Sequence, residues 1–149
     1  MKKILLALLF ICVAFSCEDE IYSNIPWAPV DLKLHLNGED VELNGFEFKT
    51  YIQRRAETDK LGYGGILVIN VQRDNIVDLR AYDLSCPNEA ERDIRIVPDN
   101  NTKEAVCPKC GAKYNIISSG APVSGSKYSL KQYNVVQSAG PSGTYIVTN

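Results

Sequence analysis

Cys86-Pro87-Asn88 and, after eighteen further residues, Cys107-Pro108-Lys109-Cys110-Gly111 hold the side chains of this chain best suited to chemistry. Thiols three positions apart chelate one ion when the loop between them turns tightly. Proline fixes one dihedral of such a loop, and glycine lets the backbone close with its amides turned toward sulfur. The upstream Cys86-Pro87 pair repeats half of that pattern. Cys86, Cys107 and Cys110 therefore read as metal ligands contributed by two loops. The same residues allow two other readings. One is three buried, inert cysteines. The other is a redox pair at Cys107 and Cys110, which ordinarily opens a helix, and no helical pattern follows.

The rest of the composition narrows the function. His35 is the single histidine, so neither a Ser-His-Asp nor a Cys-His arrangement can form beside the cysteines, and His35 itself reads as a surface strand residue. Glu89, Glu91 and Asp93 read as a solvated loop. The expectation is that the chain is not an enzyme. It carries 16 basic and 18 acidic side chains, net −2 at pH 7, with no basic patch. A nucleic-acid partner is not expected.

Residues 1–16 read as a signal peptide: Lys2 and Lys3 precede an apolar run from Ile4 to Phe15 that is short for a membrane span. Ala14-Phe15-Ser16-Cys17 resembles the bacterial lipobox, with Cys17 as the lipidated N-terminus. Plain secretion is the alternative. Glu18-Asp19-Glu20 extends away from anionic headgroups and resembles the acidic tag of some surface lipoproteins. Residues 17–30, with Pro26 and Pro29, read as a tether. These features imply the cell envelope: an outer-membrane anchor, facing the periplasm or the surface, with the membrane as a partner through lipid on Cys17. Without Lys2 and Lys3, 14 of the 16 basic side chains face 18 acidic ones, a balance of −4. Residues 17–149 suffice for one domain. Once Cys12 and Cys17 are set aside three cysteines remain, an odd number that argues against a simple disulfide framework.

The body of the chain has a β pattern. Val30–Leu36 alternates, Asn37-Gly38 signals a hairpin turn, and Val41-Glu42-Leu43 is expected as the returning strand. Further strands are expected around Phe46–Phe48, over Ile66–Ile69 as a buried run, and over Ile76–Tyr82, Ile94–Val97, Tyr114–Ile117, Tyr128–Val136 and Thr144–Val147. Arg54–Lys60 has room for one helical turn. Many short strands between turn signals point to an all-β sandwich or small barrel.

With these elements in place, the chain resembles the Rieske iron–sulfur family over residues 62–136. That family has C-x-H in one loop and C-P-x-H-G or C-x-x-H-G in the next. Here Cys86-Pro87-Asn88 and Cys107-Pro108-Lys109-Cys110-Gly111 occupy those places. Gly64–Val68 and Ala81–Ser85 resemble the strands leading in, Gly111–Asn115 resembles G-S-x-[FY]-[DN], and Gly120–Gly125 with Leu130 and Tyr133 resembles G-x-P-x-x-G…L-x-x-Y. The resemblance implies an antiparallel β-sandwich over residues 31–149 with a small two-loop metal-binding subdomain, residues 83–91 and 105–115. It places Cys86 and Cys107 at the cysteine positions, and Asn88 and Cys110 where histidines should stand. An ordinary Rieske centre therefore cannot form. Tyr114, Pro87, Pro108, Gly111 and Pro122 are expected around the ligands, and Ala112 replaces a hydrogen-bonding serine. Three states follow. The first is a variant [2Fe–2S] cluster on the three cysteines with Asn88 or Asp83 as fourth donor. The second is structural zinc on the same thiolates. The third is a site without metal, empty or disulfide-bridged. The first implies an electron carrier with a redox protein partner; the others imply a structural or interaction lipoprotein.

Overall fold

The computed structural model describes residues 22–73 and 76–149. Cys17 and the signal features lie outside the described residues. The expected all-β, antiparallel class is what the chain adopts. Among the described residues eleven strands form: β1 (Val30–His35), β2 (Phe48–Tyr51), β3 (Lys60–Leu61), β4 (Ile66–Asn70), β5 (Leu79–Asp83), β6 (Val97–Pro98), β7 (Glu104–Val106), β8 (Lys113–Asn115), β9 (Pro122–Ser124), β10 (Gln132–Gln137) and β11 (Thr144–Thr148). Seven make a nearly closed, barrel-like sheet in the order β2-β4-β5-β10-β11-β1-β3. The other four make a small sheet, β6-β7-β8-β9.

β1 follows its period-two pattern: Leu32 and Leu34 are fully buried while Asp31, Lys33 and His35 face out. β4 has no polar alternation because it is buried on both sides. Ile66 and Val68 join the barrel core with Leu32, Leu34, Tyr51 and Val147. Leu67 and Ile69 join a second core with Tyr82, Cys86, Cys107 and Tyr114. A continuous apolar run is what a strand between two cores requires.

The hairpin expected over residues 30–43 does not form. Val41–Asn44 is a single 3-10 turn, and β1 pairs instead with β11 on one side and β3 on the other. The reason is Asp40. Its buried carboxylate accepts the His35 N–H at 2.8 Å and the Tyr51 hydroxyl at 2.9 Å, and it pairs with Arg55 at 2.9 Å. Burial opposes that charge, but the His35 amide, Lys49, Tyr51 and Arg55 together hold its pKa below the usual value of 3.8. The chain curls inward at Asp40 rather than running back beside β1.

Residues 31–62 complete the barrel, since β1, β2 and β3 are all members of its sheet. Arg54–Lys60 makes turns without a helix, with the Asp59 carboxylate accepting the Arg55 and Ala56 N–H groups at 2.9 and 3.0 Å. Within the segment read as a tether, Ile25 and Ala28 are buried. Asn149 also donates to the Ala28 carbonyl at 3.1 Å, so packing reaches back to Ile25.

Candidate metal centre

The first finger leaves the barrel at the end of β5, and Asp83 sets its course. The Asp83 carboxylate is fully buried. It accepts the N–H groups of Tyr63 at 2.7 Å, Gly64 at 3.1 Å and Ser85 at 2.8 Å, and the Tyr133 hydroxyl at 2.6 Å. Burial, then the Asp83 charge, raises the Tyr133 phenol, which stays a donor. One carboxylate thus ties β5, β10 and the loop Gly62–Gly65 to the residues just before Cys86. A Cβ on Gly64 would lie 1.9 Å from Ser85 Oγ, so the loop sits against the finger with no space for a side chain. Beyond Ser85, the Cys86 N–H donates to the Ile94 carbonyl at 2.8 Å, and the Ile96 N–H donates to Leu84 at 2.8 Å. The expected strand at Ile94–Val97 is therefore mostly the returning arm of this finger.

The second finger is a self-contained knuckle between β7 and β8. The Cys107 N–H donates to Ala112 O, and the Gly111 N–H donates back to Cys107 O, both at 2.9 Å. Gly111 takes φ +73°, the left-handed region open to glycine. Hence Cys107 and Cys110 face the same side.

The fingers bring Cys86, Cys107 and Cys110 together, with all three sulfurs within 4.8 Å of one another. Cys86 Sγ and Cys110 Sγ are 3.7 Å apart. All three are free thiols, two of them buried and Cys110 exposed. Burial pushes the Cys86 thiol up to about 11. Burial acts in the same direction on Cys110, but the Ala112 N–H, the Asn88 amide and the two neighbouring thiols outweigh it and lower its pKa from 9.0. The sulfur at the solvent-facing rim thus gives up its proton more readily than an ordinary thiol.

The expected surrounding residues divide. Tyr114 is buried with its hydroxyl 3.7 Å from Cys86 Sγ. Pro87 is buried, Pro122 lies opposite Tyr114 in the β8–β9 pairing, and Pro108 is on the surface. Asn88 reaches the site with its donor end. Its Nδ2 lies 3.6 Å from Cys110 Sγ and 2.6 Å from the Gly125 carbonyl, and its Oδ1 accepts from Ser126 at 2.8 Å. The Gly125 carbonyl fixes this amide orientation. As placed, Asn88 supports a thiolate and does not aim an oxygen at the centre. Asp83 is likewise engaged elsewhere. Ser126 was not foreseen, because a serine outside the cysteine loops carries no local signal. The acidic loop also has a role: Lys109 bridges the fingers by pairing with Glu89 at 2.7 Å and Glu91 at 3.2 Å.

No family model matches the chain, and no curated protein matches it.

Proposed function

We propose that Cys86, Cys107 and Cys110 hold one metal ion of zinc type, in a lipid-anchored envelope domain whose two fingers that ion ties together. The observation that supports this is the convergence of three sulfurs within 4.8 Å. Thiolates about 2.3 Å from a tetrahedral ion stand about 3.8 Å from one another. The 3.7 Å between Cys86 and Cys110 already meets that spacing. Sulfurs divided between two irons stand farther apart, so the arrangement favours a single ion over the variant [2Fe–2S] cluster. Among the described residues no fourth histidine, cysteine, aspartate or glutamate joins the group. With Cys86 and Cys107 buried and Cys110 exposed, a fourth donor would have to come from water or from a group of another molecule.

Zinc would supply structural closure here and no electron transfer. The chain's own residues would hold Cys86 and Cys107 in a dry setting, stabilise the Cys110 thiolate and keep the fingers in register. The lipid anchor on Cys17 would place the domain at an envelope surface, and mass spectrometry of the mature chain should find diacylglyceryl there.

The test is a cobalt titration of the reduced protein under nitrogen. One equivalent of Co2+ is expected to bind with thiolate charge-transfer absorption, zinc should displace it, and Cys107→Ser should abolish the bands. Iron and labile sulfide in equal amounts in the isolated protein would replace the single-ion reading with the cluster and its electron-carrier role. Absence of any thiolate–cobalt absorption with all three thiols reduced would sink both.

A further inference from the structure

A second concave site lies behind the first finger, and its chemistry differs from that of the cysteines. Ile52, Arg54, the loop Leu61–Gly65, Arg92 and Arg95 enclose a cleft of about 190 Å³. Three of the chain's six arginines line it, and among the described residues no aspartate or glutamate does. This is a local inversion in a chain with net charge −2.

Arg92 and Arg95 are held against the wall of the cleft, and among the described residues only Arg95 of the three has an ion pair, a long one at the surface. Arg92 stacks over Tyr63, 4.9 Å from the ring centroid. Tyr63 in turn donates its hydroxyl to the Ala90 carbonyl at 3.2 Å, which fixes the wall of the cleft to the finger. Arg95 donates Nε to the Gly64 carbonyl at 2.5 Å, which leaves its terminal nitrogens free of that bond. Its one acidic neighbour, Asp93, is 3.7 Å away on a side chain that is 92% exposed. Among the described residues neither Arg54 nor Arg92 has an ion pair within 4 Å. A second cleft, lined by Lys33, His35, Glu39, Arg55 and Asp59, makes the contrast. There Arg55 is already paired with Glu39 and Asp40.

We propose that the Arg54–Arg92–Arg95 cleft binds a phosphate-type dianion. Guanidinium forks match the oxygens of such a group in charge and in planar geometry, and a dianion offsets three cations better than a single carboxylate does. The chemistry is shared by a free phosphate compound and by a phospholipid headgroup. This site is independent of any metal at the cysteines.

The test titrates inorganic phosphate into the isotope-labelled protein at constant ionic strength, with chloride as the exchanged anion. Saturable amide shifts are expected at Tyr63, Gly64 and Arg92. Arg54→Gln and Arg92→Gln, both at exposed positions, should each weaken binding at least fivefold, while Lys33→Gln in the other cleft should leave it unchanged. Sedimentation with phosphatidic acid vesicles that free phosphate reverses would mark a headgroup as the ligand; phosphate binding without sedimentation would mark a soluble one. Linear, non-saturating shifts, or binding retained in the Arg54→Gln/Arg92→Gln double variant, would overturn the proposal.

Discussion

The two cysteine fingers reach the same point by different physical means. The second is short and closes on its own backbone, with Cys107, Gly111 and Ala112 making both of its internal bonds. The first also turns on its cysteine, the Ala90 N–H donating to the Cys86 carbonyl at 2.9 Å and the Cys86 N–H to the more distant Ile94 carbonyl at 2.8 Å, but the residues that lead into it are not set locally. Its course depends on the Asp83 carboxylate and on donors at Tyr63, Gly64 and Tyr133, which lie up to 50 positions away. A knuckle of five residues can therefore be recognised as a unit, whereas the place of its partner is set by the barrel through Asp83. The difference also separates their failure modes: damage to the barrel should displace Cys86 long before it disturbs Cys107 and Cys110.

The strongest way to break that asymmetry is Asp83→Asn. It leaves buried backbone donors facing an amide with one acceptor oxygen and removes the charge that holds the Tyr133 hydroxyl, at a cost of about 3 kcal/mol. Urea unfolding should show the loss. The shifts of Cys86 should move while those of the Cys107–Gly111 knuckle stay in place; equal movement of both fingers would contradict their separate origins. Gly64→Ala tests the same support by sterics. The added Cβ meets Ser85 Oγ at 1.9 Å and the Ser85 backbone N at 3.0 Å, and overpacking of this kind costs about 2 kcal/mol. Ser85→Ala in the same chain should recover part of that loss, since it removes the nearest atom and leaves the backbone contact. Full recovery would show that the loop and finger are not pressed together along the main chain. The smallest change is expected from Lys109→Ala. Its pairs with Glu89 and Glu91 span the fingers but lie at the surface, where ion pairs contribute little. The urea midpoint should not shift measurably; a clear drop would mean that the fingers depend on this bridge and not on Asp83.

Some of this was legible in the residue order, and the exceptions have identifiable causes. The alternation of β1 and the apolar run of β4 both survived into the fold, because side-chain period and apolar residue type are local properties. The strand expected over Val41–Leu43 became a 3-10 turn because Asp40 found Tyr51 and Arg55, contacts that no pattern in residues 37–43 announces. At the candidate centre, the three cysteines were chosen by spacing and flanking proline and glycine, and they do converge. Asn88 stands out by position, and its amide donor faces sulfur because the Gly125 carbonyl accepts from that same end while the Ser126 hydroxyl donates to its oxygen. The arginine cleft had no sequence signal, since β3, β4 and β5 lie between Arg54 and the Arg92–Arg95 pair along the chain.

The order of residues alone determined the all-β character, the double burial of Ile66–Ile69 and the tight turn that pairs Cys107 with Cys110. Each is signalled by residue types within a few positions of one another. Only the tertiary structure decided that Cys86 joins them, that Asp83 serves as a strut and that three arginines share one cleft. Those outcomes depend on which distant donors and charges the closing barrel brings within reach of hydrogen bonds, and that distance is not written in any local stretch of the chain.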